Sequence, residues 1–204
     1  MTDVETELHR HLLTLNKDQS VVDLACGRGW AGRICLDAGF KSVEFADARP
    51  ERIVVPIDNY PNCRVSAVNI ESDQFADYIK NFDVIVYFGH LYHSINPSKI
   101  IEDLAQSNCK HLFLESKTLG MADVHEFGPA RIVNAHEPSS EEEAAFSEND
   151  EMIKICRPSL NWARQALVDN GFTIKAWYTG KLINKRMPPG SQVFGRYLIY
   201  ATKS

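Results

Sequence analysis

Val21-Val22-Asp23-Leu24-Ala25-Cys26-Gly27-Arg28-Gly29-Trp30 is the stretch around which the chain is arranged. Val21, Val22 and Leu24 read as a short apolar strand of a sheet covered on both faces. Gly27 and Gly29 admit backbone angles and close approaches that a Cβ forbids. Beyond them, Ala31, Ile34, Cys35 and Ala38 recur at helical spacing and give one buried face. Gly39 stands where a C-terminal cap belongs. Strand, glycine turn and helix together make the nucleotide-binding corner of an open α/β sheet.

The chemistry of that corner narrows the ligand. Gly27, Gly29 and Gly32 satisfy G-x-G-x-x-G, by itself a weak pointer to a dinucleotide. A pyrophosphate wants bare N–H groups at a helix N-terminus and no negative charge nearby. Asp23 precedes the glycines at the strand end, where a carboxylate repels a pyrophosphate. It suits a ligand carrying an ammonium or sulfonium group. S-adenosylmethionine (SAM) has both and no phosphate. Asp47 closes the run Val43-Glu44-Phe45-Ala46, one βαβ step further on, where a carboxylate accepts both hydroxyls of a ribose. NAD uses the same acid, so Asp23 rather than Asp47 separates the two ligands.

Asp23-Leu24-Ala25-Cys26-Gly27-Arg28-Gly29, with Asp47 downstream, resembles the first two motifs of class I SAM-dependent methyltransferases. The resemblance implies a Rossmann-like α/β fold. Its seven-stranded, mostly parallel sheet has the order 3-2-1-4-5-7-6 and helices on both faces. It places SAM against Asp23, Ala25, Cys26, Gly27, Gly29, Asp47 and Ala48. The third-strand tip, Asn69-Ile70-Glu71, then lies beside the adenine, and Phe88-Gly89, ending the fourth strand, also belongs to the cofactor-binding set.

Length and composition agree with one domain over residues 1–204. The formal net charge is -5 and no basic block announces a nucleic-acid footprint. Five cysteines, at 26, 35, 63, 109 and 156, form no C-x-x-C pair. Reduced, mostly buried thiols in a cytoplasmic protein are expected. No signal peptide and no run of membrane-spanning length is found, and no paired acids mark a metal site.

Along the chain, Val4, Leu8, Leu12 and Leu15 predict an amphipathic helix within residues 1–16, packed on the sheet or covering the cofactor edge. Arg52 to Tyr60 reads as a helix that Pro56 shortens or breaks, and Cys63 to Ile70 as the third strand. Asp83 to Gly89 is the fourth, and its apolar run suits a central position. His90-Leu91-Tyr92-His93 follows directly. Three polar rings thus stand at the carboxyl end of a central strand, where ligands bind in such sheets. His90, Tyr92 and His93 are the catalytic candidates, with one histidine as a general base if the acceptor must lose a proton. His111 to Glu115 is the fifth strand. The regular pattern then lapses over 118–157, which is read as a lid or acceptor-binding insertion holding the solvated acidic run Glu141 to Glu143. Ser159 caps a helix that Gly171 ends. Phe172 to Tyr178 and Arg196 to Thr202 make the closing antiparallel pair.

A second resemblance is local. Phe88-Gly89-His90-Leu91-Tyr92-His93 with Pro97, Phe113-Leu114-Glu115, Pro158-Ser159, Gly171-Phe172, Pro189 and Gly195-Arg196 resemble the bacterial enzymes that complete 5-oxyacetyl-uridine at the tRNA wobble position. Those enzymes use carboxy-SAM. The resemblance implies that Tyr92 and Arg196 hold the extra carboxylate, a task suited to the arginine fork. The acidic balance favours a small-molecule acceptor over tRNA. The expected activity is therefore a SAM-dependent methyltransferase (EC 2.1.1.-). Three alternatives stand beside it: a carboxy-SAM-dependent tRNA carboxymethyltransferase, a non-catalytic SAM-binding module, and an NAD-dependent oxidoreductase.

Overall fold

A computed structural model describes residues 3–118, 131–134, 154–181 and 195–203. In chain order its elements are α1 (Asp3–Leu12), β1 (Ser20–Leu24), α2 (Trp30–Asp37), β2 (Ser42–Asp47), α3 (Pro50–Asn59), β3 (Arg64–Ala67), α4 (Phe75–Ile79) and β4 (Val84–Phe88). A 3-10 turn (Leu91–His93) leads to α5 (Pro97–Gln106), β5 (His111–Thr118), β6 (Arg131–Asn134), β7 (Lys154–Arg157), α6 (Leu160–Asp169), β8 (Thr173–Lys181) and β9 (Gly195–Thr202).

Seven strands form one sheet in the order β3-β2-β1-β4-β5-β9-β8. β1 to β5 are mutually parallel, and β9 runs antiparallel between β5 and β8. β8 and β9 are the sixth and seventh strands of this sheet, so the order is the expected 3-2-1-4-5-7-6. Every residue of β4 is buried, as its uninterrupted apolar run requires. On one face Leu8 and Leu12 of α1 and Ile34 and Cys35 of α2 join Val21, Val84, Val86 and Phe113. On the other, Ile79 of α4, Ile101 and Leu104 of α5, and Leu160 and Leu167 of α6 join Val22, Leu24, Ile85 and Tyr87.

Helix α1 packs on the sheet, with His11 Nε2 2.8 Å from the Tyr178 hydroxyl. The helix ends are chemically defined. Gly39 takes φ 97° after α2, and the Phe40 and Gly39 N–H groups donate to the carbonyls of Cys35 and Leu36. The Ser159 hydroxyl accepts the Trp162 N–H at the start of α6. Buried Glu44 joins β2 to the short edge strand and to α4 by accepting the hydroxyls of Ser66 (2.6 Å) and Tyr78 (2.8 Å).

Three expectations are corrected. Helix α3 is continuous from Pro50 and is not broken at Pro56. Pro50 suits the first helical position, and Pro56 is the buried residue of the helix, its ring facing Gly29. β3 stops at Ala67, because Asn69 turns the chain by accepting the Glu71 N–H at its Oδ1. The span 118–157 contains an antiparallel ribbon, β6 with β7, whose second strand lies against the Leu91–His93 turn. The rest of that span, with Glu141 to Glu143, lies outside the described residues, as does Pro189.

Gly32 is where α2 touches the sheet. A Cβ there would sit 2.2 Å from Phe45 Cε1. Gly32→Ala is expected to lower stability by about 2 kcal/mol in urea unfolding, despite the ~1 kcal/mol helix-propensity gain of Ala over Gly. An unchanged midpoint would show that the Phe45 ring yields.

Candidate active site

The carboxyl ends of β3, β2, β1 and β4 lie side by side, and the chain reverses its direction of travel across the sheet between β1 and β4. That reversal opens a crevice, and the loops after each strand border it. Ala25, Gly27 and Gly29 all have left-handed backbone, at φ 53°, 53° and 77°. Ala25 is the non-glycine among them, a strained conformation. The loop is tied to β2 by the Cys26 N–H, which donates to the Ala46 carbonyl at 3.0 Å.

Three buried acids, on β1, β2 and β5, each accept a glycine N–H. Asp23, 1% exposed at the end of β1, accepts from Gly32 at 2.7 Å. Gly32 is in the first turn of α2, whose N-cap Gly29 brings no side-chain acceptor. Asp23 therefore caps this helix from beneath the loop, where the helix dipole favours a negative charge. Burial pushes its carboxyl up to about 7, with the Gly32 hydrogen bond opposing and the nearby Asp47 charge adding to the rise. The sequence places Asp23 at the strand end, and its carboxylate lies buried under the loop.

Asp47 ends β2 and is 3% exposed. Its Oδ2 accepts the Gly27 N–H at 2.9 Å, and its Oδ1 accepts the Arg49 N–H at 3.0 Å. The Arg49 guanidinium adds Nε to Oδ1 at 3.0 Å and Nη2 to Oδ2 at 3.3 Å. Burial works against the charge, but Arg49 and the Gly27 N–H outweigh it and hold the carboxyl below the usual carboxylate range.

Glu115, fully buried in β5, accepts the Gly89 N–H at 2.9 Å, and its Oε1 lies 2.9 Å from Arg196 Nη1. Burial raises its carboxyl, opposed by Arg196, Gly89 and Lys117. Arg196 thus sits at the site but is engaged by Glu115. Its cross-strand partner on β5 is Lys117, whose Nζ lies 4.6 Å over the Tyr92 ring. Tyr92, Lys117 and Arg196 are thereby gathered.

The turn after β4 is braced from both sides. The Tyr87 hydroxyl lies 2.8 Å from His90 Nδ1. Glu71 Oε1 accepts the Ser94 hydroxyl at 2.6 Å and the Ile95 N–H at 3.1 Å. His90 and His93 are half-buried and Tyr92 is buried, its ring centroid 4.1 Å from that of His93. Phe88 meets Trp30 edge-on at 5.5 Å. Of the third-strand tip, Asn69 and Glu71 are committed to these turns, and Ile70 is in the core. Ala48 is exposed beside Asp47.

A Cβ added to Gly27 or to Gly89 meets no atom within 4 Å, so both glycines border open space at the ends of the adjacent strands β1 and β4. Among the described residues no cluster of three or more His, Cys, Asp and Glu could hold a metal, and no helix is long and apolar enough to cross a membrane. Sequence reasoning missed Arg49, Glu115, Lys117 and Tyr87. Glu115 carried a usable signal, since it is an acid ending an apolar strand run just as Asp23 and Asp47 are.

Fold and site together define a Rossmann-like protein of the class I methyltransferase architecture. A family model described as a methyltransferase domain matches residues 2–172, and the chain belongs to that family of SAM-dependent methyltransferases. The curated proteins contain no match. Among solved structures, the N-terminal domain of EvdMO1 with S-adenosylhomocysteine (SAH) and D-fucose is similar at TM-score 0.68 and 14% identity, over 100% of this chain and 84% of that one. A SAM-dependent methyltransferase from Mesorhizobium loti is similar at 0.64 and 15%, over 98% of each chain. Magnesium protoporphyrin IX methyltransferase from Synechocystis PCC 6803 with bound SAH is similar at 0.64 and 15%, over 98% of this chain and 81% of that one. At these identities the likeness bears on the fold.

Proposed function

We propose that this protein binds SAM in the β1–β4 crevice and methylates a small-molecule acceptor positioned by the His90–His93 turn. The observation that carries the reading is the open space beside Gly27 and Gly89, two glycines whose N–H groups are anchored by Asp47 and Glu115. Gly27, Gly29, Asp47 and Ala48 would hold the nucleoside end. Asp23 would favour the cationic end through space. When bound, SAM supplies a methyl group activated by its sulfonium.

The chain's own part is alignment and exclusion of water, which contribute on the order of 7–11 kcal/mol in favourable cases. The brace from Tyr87 and Glu71 fixes the turn that would orient the acceptor. If the acceptor must lose a proton, His90 is suited to take it.

Calorimetry with SAM, SAH and NADH tests the cofactor, and mass spectrometry of the co-purified small molecule tests the donor. SAH is expected to bind and NADH not. His93→Ala and Tyr92→Phe are expected to cut turnover by about 100-fold with SAH affinity unchanged. Binding of NADH without SAH would return the reading to an oxidoreductase, and equal loss of turnover and affinity would displace the acceptor pocket. Tight SAH binding with no product across an acceptor screen would mark a non-catalytic module.

One observation supports a second reading. Tyr92 and Arg196, with Lys117 between them, share a neighbourhood suited to an extra carboxylate. If carboxy-SAM is the donor and tRNA the acceptor, Arg196→Leu will weaken carboxy-SAM binding far more than SAM binding.

A further inference from the structure

The Asp47 carboxylate has about four lone-pair positions, and four N–H groups fill them. Two come from backbone: Gly27 N–H on Oδ2 and Arg49 N–H on Oδ1. The other two are the Arg49 side chain, Nε on Oδ1 and Nη2 on Oδ2. The backbone pair shapes the loop and stays. The guanidinium pair takes one position on each oxygen, which is also what two vicinal hydroxyls need. Arg49 is only 20% exposed and Asp47 3%, so the fork is seated rather than waving in solvent.

From this we infer that Arg49 is a built-in competitor for the ribose diol: its fork occupies the diol-binding positions of Asp47 and leaves them when the cofactor enters. The inference rests on the reading of Asp47 as the ribose acid. No bond to the loop is lost in the exchange, because the Gly27 and Arg49 backbone N–H groups keep their own positions on the carboxylate. Release costs the protein the charge-assisted pair with Asp47. The device therefore sets affinity, holding it down for a ligand whose two hydroxyls must take the fork's place on both oxygens. It also keeps the buried carboxylate paired whenever the crevice is without ligand.

The test is calorimetry on the full chain with three probes, SAH, adenosine and 2′,3′-dideoxyadenosine. Arg49→Met is expected to tighten SAH and adenosine about tenfold and to leave 2′,3′-dideoxyadenosine unchanged. Arg49→Lys keeps the charge but cannot serve both oxygens with one fork, and falls between. Without ligand, the Asp47 carboxyl followed by carbon-13 NMR titrates higher in Arg49→Met, which confirms the pair in a sample that carries out no reaction. SAH affinity that is equal or weaker in Arg49→Met overturns the inference and leaves the cofactor reading standing. Failure of SAH and adenosine to bind either wild type or variant overturns both.

Discussion

In titrations at pH 8, Asp23→Asn is expected to weaken SAM binding by about 30-fold and SAH binding by distinctly less. A cation about 7 Å from a carboxylate gains about 2 kcal/mol at an effective dielectric near 20, and 1.4 kcal/mol is a factor of ten. SAM carries a sulfonium as well as an ammonium, whereas SAH carries the ammonium alone. The variant keeps an acceptor for the Gly32 N–H, so the loop and the α2 cap survive and the charge is what changes. The pH dependence has a definite sign. The carboxyl titrates near 7 in the folded protein, and a cationic ligand selects its ionised form. Wild-type affinity for SAM therefore rises from pH 6 to pH 8 and levels off, while Asp23→Asn stays flat.

Stability runs the other way. The folded carboxyl lies far above its ordinary value of 3.8, so burying it charged opposes folding. The native state is favoured by protonation, and that advantage is lost as pH rises towards 7. Thermal melts of wild type measured against Asp23→Asn should improve as pH falls from 8 to 6. A pH-independent SAM affinity, or equal losses for SAM and SAH, would show that the charge does not reach the ligand.

Glu115→Ala is expected to cost about 3 kcal/mol in urea unfolding, the lower end for breaking a buried pair by removing one partner. The lower end applies because Arg196 is 27% exposed and regains some water. The loss has two parts. Arg196 keeps a largely buried charge with its carboxylate gone, and the Gly89 N–H loses its side-chain acceptor. Glu115→Gln, which still accepts from Gly89, should cost less. Glu115→Leu combined with Arg196→Met should cost less than Glu115→Ala alone, because no uncompensated charge is left inside. A double variant as unstable as the sum of its parts would mean that the two groups do not act as a pair. Because Gly89 begins the turn carrying His90 and His93, Glu115→Ala should also reduce turnover beyond what its stability explains.

The fold was legible from local patterns. The apolar run with its glycine turn marked β1 and α2, Gly39 and Gly171 marked helix ends, and Ser159 marked a helix start. These signals work because periodicity, left-handed backbone and caps are decided within one turn of chain. The break expected at Pro56 shows where such reasoning fails. Locally a proline costs one hydrogen bond, but here its ring fills the space beside Gly29, a contact made across the loop. Asn69 and Glu71 show a similar limit. Their polarity at a strand tip suggests ligand contacts, and the structure adds turn bonds that polarity alone does not foretell.

By itself, then, the sequence determined the α/β class, the strand that carries the glycine corner and the acids at the ends of β1 and β2. Only the tertiary structure decided what those acids touch. Asp23 lies beneath the loop and caps α2, Asp47 is clasped by Arg49, and Glu115 holds Gly89 and Arg196. The reason is physical. A strand or a cap depends on neighbours in the chain, whereas a buried carboxylate must be matched by whichever donors the packed sheet brings within about 3 Å of it.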